Sequence, residues 1–275
     1  MSSRRNEGID QGPVAGSGSV PIFDAFFDDY LAAYSADSLG GYVLRTRRTQ
    51  VIQLLGGLTG RVLDVGCGPG VMTQEILDLG CEFWGVDGSA RVIAVGRRRF
   101  SGCARAHFGV AEALSLPFAD ATFDGVLCIG VMDRVPRPEP VIAELGRVLK
   151  PHGTMVISLP NLLSPYALWK SHVFYAGIGY AKRVAKHFGY RRQKPDLCWA
   201  VKLWTPRAAR SLVEMLVGDV REIAYYNFGI LLLSPLDELL PGAALKSARW
   251  LERLRTSRFR WLGAAFLVKA EKSVA

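Results

Sequence analysis

The sequence lacks the features that would place it among secreted, zinc-binding or membrane-spanning proteins. Its five cysteines are odd in number and none stands in a C-x-x-C pair, so we expect neither a disulfide framework nor a metal site. No apolar run is long enough to cross a bilayer, and FGILLLSPL comes nearest. The start of the chain has no apolar signal-peptide core. We therefore expect a soluble, cytoplasmic protein with reduced thiols.

Acidic residues are missing from one segment of the chain. Between Leu145 and Pro195 stand nine Lys or Arg residues and no Asp or Glu. The net charge of the whole chain is +9, so this segment holds the entire excess and the remainder balances to zero. The basic character is therefore local and needs a local explanation.

Length and composition indicate one large domain with additions. With 275 residues, of which 49% are hydrophobic and 21% charged, the chain is long enough to bury a substantial core. We predict five parts: a disordered Gly- and Ser-rich tail (1–20), an N-terminal helical cap (21–59), a core (60–160), a basic aromatic insert (161–203) and the remainder of the core (204–275).

Strand and helix patterns alternate along the core. The predicted strands are RVLDVG, CEFWGVD, AHFGVA, FDGVLCIG and TMVISLP. Helices of about ten residues follow the first, second and fourth of them (VMTQEILDLG, SARVIAVGRRRF and EPVIAELGRVL), and KPHG is predicted as a turn. Past residue 204 we predict the helix TPRAARSLVEMLVG and then two strands, DVREIAYYNFG and WLGAAFLVKAEK, joined as a long-looped hairpin by the mostly helical LDELLPGAALKSARWLERLR. This alternation is typical of an α/β protein with helices on both faces of a parallel sheet.

Residues 61–70, RVLDVGCGPG, combine an apolar strand with three glycines. Gly66, Gly68 and Gly70 allow a tight turn and let a ligand approach the backbone where the strand ends. The spacing is G-x-G-x-G and not the dinucleotide pattern G-x-G-x-x-G. Asp87, at the end of the next strand, is placed to bind ribose hydroxyls. Loop and acid together predict a nucleoside ligand.

Four consecutive pieces carry a resemblance to a known family: VLDVGCGPG, GVDGS, AEALSLPFADATFDGVLCIGVM and ELGRVLKPHG. In this order and spacing they resemble the class I S-adenosylmethionine-dependent methyltransferases, specifically the methyltransferase type 11 family of ubiquinone and menaquinone biosynthesis. The resemblance runs from about Phe23 to Lys272 and is strongest over 61–157. It implies a Rossmann-like fold, with a seven-stranded, mostly parallel sheet whose last strand is antiparallel.

The resemblance also implies that S-adenosylmethionine is the cofactor, and it assigns residues around it. Asp64, Gly66, Cys67, Gly68 and Gly70 would hold the methionine end; Asp87 the ribose; Gly88 and Ser89 the adenosine; Val110, Ala111 and Glu112 the adenine; Cys128, Ile129 and Gly130 would pass under the methionine. Two positions depart from the family pattern. Val110 stands where relatives often carry an acid, and Arg134 stands where they often carry a histidine. No family histidine is therefore available as a catalytic base.

Methyl transfer from a sulfonium depends mainly on alignment, and it needs a general base only where the acceptor holds a hydroxyl proton. The candidate catalytic residues are Asp133 and His172. The alternative for both is simple solvation, or for Asp133 a salt bridge to Arg134. The predicted acceptor-binding residues are Tyr30, Tyr34, Trp169 and Tyr175. Tyr30 and Tyr34, four apart on one helical face, also fit helix packing.

The predicted insert, SPYALWKSHVFYAGIGYAKRVAKHFGYRRQKP, mixes seven Lys or Arg residues with aromatic residues. Three interpretations stay open: a cap over the acceptor site, an amphipathic element at an anionic membrane, and a nucleic-acid groove. The fourth strand is not followed by the [DN]-P-P-[YF] motif, which counts against nucleic acid. Leucines and Trp250 in the second helical insert suit an apolar pocket or a dimer face, so we expect a monomer or a homodimer.

The function predicted from the sequence is methyl transfer from S-adenosylmethionine to a small apolar or aromatic acceptor, with O-methylation favoured. Two other classes stay open. One is a nicotinamide-dependent oxidoreductase built on a similar sheet. The other is a cofactor-binding module without catalysis that docks at a membrane or a partner. Titration with each cofactor and an assay for turnover separate the three.

Overall fold

The computed structural model describes residues 27–28, 31–32, 34, 37–133, 135, 137–169, 203–228 and 239–274. The strands in these residues are Arg61–Val65 (β1), Glu82–Asp87 (β2), Ala106–Val110 (β3), Phe123–Cys128 (β4), Leu149–Pro160 (β5), Gly218–Tyr226 (β6) and Ala265–Lys272 (β7). They form one seven-stranded sheet in the order β3-β2-β1-β4-β5-β7-β6. The predicted tail and most of the predicted insert lie outside the described residues.

The last strand runs against the others. β7 pairs antiparallel with both β5 and β6, whereas β1 to β5 pair with one another in parallel. Six strands therefore point one way and β7 the other, which confirms the predicted fold class. Because the six strands share a direction, their carboxyl ends meet at one edge of the sheet.

Helices connect the strands. In the described residues they are Leu39–Leu54 (α1), Thr73–Asp78 (α2), Ala90–Arg99 (α3), Pro138–Val148 (α4), Pro165–Leu168 (α5), Pro206–Leu216 (α6) and Pro241–Leu251 (α7), with 3-10 turns at Glu252–Thr256 and Arg260–Leu262. Side-chain caps begin three of them: Ser38 Oγ accepts from the Gly41 amide, Ser89 Oγ from the Val92 amide, and Thr205 Oγ1 from the Ala208 amide. None of these described helices combines the length and the apolarity that a membrane span requires.

Apolar side chains fill both faces of the sheet. Successive residues of β1 belong to different clusters, as the alternation of side chains along a strand requires. Leu63 belongs to the cluster that contains Leu145 of α4 and Val213 of α6. Val62 belongs to the cluster that contains Val51 of α1. Helices therefore cover both faces, and the strands can be apolar throughout.

The structure corrects the predicted KPHG turn. These residues form a bulge inside β5, and the strand continues on both sides of it. Leu149 pairs with Phe123 of β4, and Thr154 is the next to pair, with Gly125. The extra residues of β5 are absorbed at this irregularity, where His152 adopts a φ of 61°. A Pro-Gly signal here marks a bulge and not a strand end.

The predicted insert leaves and rejoins the sheet at one place. The Leu162 amide donates to the Trp204 carbonyl oxygen at 2.8 Å, and the Trp204 amide donates to the Pro160 carbonyl oxygen at 2.9 Å. Asn161 is fully buried, and its Nδ2 donates to the Trp261 carbonyl oxygen at 2.7 Å. The residues between 162 and 203 therefore begin and end at the carboxyl end of β5.

Candidate active site

Three glycines shape the loop after β1. Gly66, Gly68 and Gly70 have φ angles of 76°, 57° and 75°, in a region that other residues rarely adopt. A Cβ atom at Gly66 would overlap Val131 Cγ2, and one at Gly70 would lie 2.6 Å from Thr73 Oγ1. At Gly68 no atom lies within 4 Å of the Cβ position. The outer glycines are therefore required by packing, and the middle one leaves space beside the backbone, as a ligand cradle requires.

Gly66→Ala is expected to lower the free energy of unfolding by about 2–4 kcal/mol, which urea denaturation followed by circular dichroism measures. The left-handed backbone disfavours alanine, and the new methyl group also has to displace Val131. Gly57→Ala is the matched control, since Gly57 has a φ of 82° and no atom within 4 Å of its Cβ position. It isolates the backbone effect, so equal losses in the two variants would contradict the packing argument.

Asp87 ties the glycine loop to the start of α3. Its Oδ2 accepts from the Gly68 amide at 3.1 Å, and its Oδ1 accepts from the Ser89 amide at 3.0 Å. Ser89 is itself the N-cap of α3. One carboxylate therefore fixes the loop and the helix start next to each other, at the carboxyl end of β2.

Asp64 carries a carboxyl group that lies inside the protein. It is fully buried in β1, and within the described residues neither of its side-chain oxygens has a hydrogen-bond partner. Burial, and after it the negative charge of Asp87, raises the pKa of Asp64 to about 7, although Arg47 opposes the shift. Buried acceptors are nearly always paired in native proteins. The unpaired oxygens therefore fit a donor or cation that a ligand supplies.

A second cluster of hydrogen-bonded polar residues joins α1 to the ends of β4, β5 and β6. The Gly130 amide donates to Ser158 Oγ at 2.7 Å. The Tyr226 hydroxyl is hydrogen-bonded to Arg47 and Ser158; burial raises the pKa of Tyr226, and Arg47 opposes the shift. Arg47 thus reaches from α1 over the sheet edge. Gly130 was predicted from the sequence, whereas Arg47, Ser158 and Tyr226 were missed because they belong to separate elements. The available signal was a polar side chain near the carboxyl end of β5 and of β6.

A small cavity lies between α1 and the glycine loop. Its volume of about 10 Å³ leaves room for about one water molecule. Its walls are formed by Tyr34, Arg47, Arg48, Gly66, Cys67, Val71, Met72 and Ile129. Four predicted residues are therefore brought together at the loop: Tyr34, Gly66, Cys67 and Ile129.

Cys67 and Cys128 lie near Asp64 as neutral thiols. Burial is the main cause that raises the pKa of each thiol, and the negative charge of Asp64 adds to it. Cys67 Sγ donates to the Gly68 carbonyl oxygen at 3.2 Å. Because the thiolate is the reactive form, these cysteines line the site and are not nucleophiles.

The comparison with known families decides what this site belongs to. Residues 63–157 match the family model described as a methyltransferase domain. The matched range contains Asp64, the glycine loop and Asp87. This chain carries a methyltransferase domain. The resemblance to class I S-adenosylmethionine-dependent methyltransferases is thereby confirmed, with S-adenosylmethionine as the cofactor of the family.

Curated relatives bear methyltransferase names. The demethylmenaquinone methyltransferase of Renibacterium salmoninarum is 34% identical over 137 residues, which cover 49% of this chain and 56% of the relative. The ubiquinone biosynthesis O-methyltransferase of Methylococcus capsulatus is 32% identical over 117 residues, which cover 42% of this chain and 49% of the relative. The chain thus spans about half the length of the curated relatives it matches.

Solved structures share the fold over a longer range. A chain in the complex of the Haloferax volcanii Trm112 methyltransferase activator with a methyltransferase matches with a TM-score of 0.60. The match covers 92% of this chain and 98% of that one, at 19% identity. At this identity the likeness shows the fold, and the fold extends beyond residues 63–157 of the methyltransferase domain.

The predicted adenine residues of the methyltransferase domain lie next to Asp87. Val110 pairs with Asp87 in the sheet, and the Ala111 amide donates to the Asp87 carbonyl oxygen at 3.1 Å. Glu112 follows directly, and Gly88 stands between Asp87 and the helix cap. The cofactor predictions therefore share one edge of the sheet, and their roles stay predictions.

On the acceptor side the structure places part of the predicted set. Asp133 follows β4, and its Oδ1 is buried without a partner in the described part of the chain. Its negative charge contributes to the raised pKa of Tyr226 and of Cys128. Trp169 is half-buried just after α5. Tyr30, His172 and Tyr175 lie outside the described residues, as does Arg134.

Proposed function

We propose that the methyltransferase domain transfers the methyl group of S-adenosylmethionine to a small apolar or aromatic acceptor. The observation that carries this proposal is the buried, unpaired Asp64 carboxyl group near Asp87 at the glycine loop. The Asp64 carboxylate is a buried hydrogen-bond acceptor at the sheet edge, and the Asp87 carboxylate is a second one beside the loop amides. This pair suits a ligand that has a cationic end and a ribose.

Each group of residues has a proposed task. Asp64 receives the cationic amino-acid end of the cofactor, Asp87 its ribose hydroxyls, and the residues after β3 line the adenine. The bound cofactor supplies an activated methyl group, so the chain has to align the acceptor and exclude water. The hydrogen bonds of Arg47 and Ser158 to Tyr226 hold α1 over this edge and keep the geometry fixed.

The acceptor class is inferred from the relatives. Two of them are named for demethylmenaquinone and for ubiquinone biosynthesis, the latter as an O-methyltransferase. We infer an apolar aromatic acceptor that is methylated on a hydroxyl oxygen. The 161–203 insert, which is rooted at the carboxyl end of β5, is proposed to cover the acceptor, and 21–59 to cap the site. We also propose that the protein is a monomer or a homodimer and that it makes peripheral contact with an anionic membrane.

Calorimetric titration with S-adenosylhomocysteine tests the donor site directly. We expect micromolar affinity for S-adenosylhomocysteine and none for reduced nicotinamide adenine dinucleotide, since the loop spacing is not that of dinucleotide sites. Preference for the dinucleotide, or no binding of either, would overturn the proposal. Binding without turnover of any catechol or hydroquinone would favour a cofactor-binding module that lacks catalysis.

Asp133→Asn is expected to reduce turnover of a phenolic acceptor by about 100-fold or more, because a positioned general base typically contributes that much. Its buried Oδ1, which has no hydrogen-bond partner in the described residues, supports the proposed role as acceptor of the hydroxyl proton. Transfer of a tritiated methyl group to a catechol and to a hydroquinone measures the effect. Asp120→Asn is the control, since Asp120 is exposed and paired with Arg147. Full turnover in Asp133→Asn would show that Asp133 is not the general base. Loss of S-adenosylhomocysteine binding in this variant would instead indicate a structural role for Asp133.

A further inference from the structure

A second charged and apolar surface lies between β6 and β7, apart from the glycine loop. We call residues 239–262 the β6–β7 surface. It includes α7 and both 3-10 turns. It carries one acid, Glu252, and six basic residues: Lys246, Arg249, Arg253, Arg255, Arg258 and Arg260. Cations are therefore concentrated here as well as in the 145–195 segment.

The β6–β7 surface also exposes large apolar side chains. Of the ten exposed large hydrophobic residues in the described part of the chain, five lie here: Leu239, Leu240, Trp250, Phe259 and Trp261. The inner face of α7 is already used, since Ala244, Leu245 and Ala248 are buried. Trp250 instead points outward and is 58% exposed. The outer face therefore has no role in the core.

Most of the cations on this surface have no ion-pair partner within the described residues. Arg249 pairs with Asp37 at 2.9 Å, and Arg255 approaches Glu252 at 4.0 Å. Within the described residues no ion pair is formed by the remaining basic residues, which are Lys246, Arg253, Arg258 and Arg260. The Arg258 guanidinium lies over the Phe259 ring, 4.9 Å from its centroid. A partner that supplies both negative charge and an apolar layer would satisfy this face.

We propose that the β6–β7 surface docks on an anionic phospholipid bilayer. Basic side chains would meet the headgroups, while Trp250, Trp261 and the leucines enter the interfacial layer, where tryptophan is favoured. Leu239 and Leu240 favour a bilayer over nucleic acid, because aliphatic side chains do not stack on bases. This surface is distinct from the 161–203 insert, for which membrane contact is one of three interpretations of the sequence.

The β6–β7 surface is joined to the active-site edge. Gln50 of α1 donates to Glu252 Oε1 at 3.4 Å, and Arg249 pairs with Asp37 just before α1. The Trp261 carbonyl oxygen accepts from Asn161, where the insert begins. Docking would therefore bring a bilayer close to the acceptor side. Only this use, the delivery of an apolar acceptor, rests on the proposed function; lipid binding itself does not.

Sedimentation with vesicles tests the proposal on the full chain. We expect binding to vesicles of phosphatidylglycerol and phosphatidylcholine, and little to pure phosphatidylcholine. The double substitution Lys246→Glu/Arg253→Glu should weaken binding by at least about tenfold, since each cation near an anionic surface contributes a factor of about five. Arg98→Glu/Arg99→Glu on α3 makes the same charge change among exposed residues at the far end of the sheet and should have little effect.

Aromatic variants complete the test. Trp250→Ala should weaken vesicle binding, whereas Met215→Ala should not, although Met215 is also exposed. Circular dichroism checks that each variant is folded. Equal binding to neutral vesicles, or equal losses in both charge variants, would overturn the proposal. Anionic binding that persists in the β6–β7 variants would assign the contact elsewhere. A dimer that Trp250→Ala dissociates, without vesicle binding, would make this face a subunit interface.

Discussion

Compared with the wild-type protein, Asp64→Asn is expected to gain stability as the pH rises from 5 to 8, while it weakens binding of S-adenosylhomocysteine. The carboxyl group has a pKa of about 7 when folded, against 3.8 for an ordinary aspartate. It therefore binds its proton more tightly in the folded protein. Its contribution to stability is complete below about pH 4 and is lost as the pH rises towards 7. Asparagine stays uncharged and removes this dependence.

The effect on stability is large enough to measure. Through this group alone, the wild-type protein is expected to lose about 3 kcal/mol between pH 5 and pH 8. Urea denaturation at the two pH values measures the loss, and a constant cost of burying the amide cancels in the difference. Asp219→Asn, at an exposed aspartate paired with Arg221, should keep the wild-type dependence. An unchanged dependence in Asp64→Asn would contradict the raised pKa.

The same substitution should lower the affinity for S-adenosylhomocysteine by about tenfold or more, because a hydrogen bond to a charged group contributes about 1.5–3 kcal/mol. Stability and binding are thus expected to change in opposite directions. Such opposition is typical of a group that is retained for function at a cost to the fold. A variant that is stabilised and still binds normally would assign Asp64 no part in the cofactor site.

Asp87→Ala is expected to weaken S-adenosylhomocysteine binding by about 100-fold or more. The substitution removes the proposed acceptor for the ribose hydroxyls and also the hydrogen bonds from the Gly68 and Ser89 amides that fix the loop. Calorimetric titration measures the loss. Asp87→Asn keeps one acceptor oxygen and should give an intermediate affinity.

A matched control separates Asp87 from a general loss of charge. Asp120→Ala removes an exposed aspartate that forms an ion pair with Arg147, and it should leave the affinity for S-adenosylhomocysteine unchanged. Asp87→Ala should also lower the pKa of Asp64, because the negative charge of Asp87 helps to raise it. The pH dependence of stability would then be smaller than in the wild-type protein. Wild-type affinity in Asp87→Ala would exclude the proposed ribose contact.

Local patterns were sufficient to predict most of the fold. The run RVLDVG and the acid-terminated CEFWGVD contain their own strand and loop signals. β2 ends at Asp87 as predicted, and β1 ends at Val65, one residue before the end of the predicted run. KPHG misled because Pro and Gly favour turns, yet pairing of Leu149 with Phe123 and of Thr154 with Gly125 keeps the strand continuous. Tertiary pairing overrode the local preference there.

The contacts across the site were not predictable in the same way. Arg47, Ser158 and Tyr226 are brought together only by the sheet order and by the seating of α1. The sequence shows the position of Asp64 at the end of a strand. It does not show that the folded chain, in its described part, supplies no hydrogen-bond donor to the Asp64 oxygens. Spacing within a motif is local, whereas a polar group assembled from three elements depends on the completed fold.

The position of β7 has a consequence for synthesis. β7 is hydrogen-bonded to β5 on one side and to β6 on the other, although it follows both in the chain. A ribosome therefore releases β6 before β6 has a neighbour in the sheet, and β5 keeps an open edge for the same time. Open strand edges recruit strands from other chains. A nascent chain that stalls before Ala265 is thus a seed for aggregation, and not merely a protein that is one strand short.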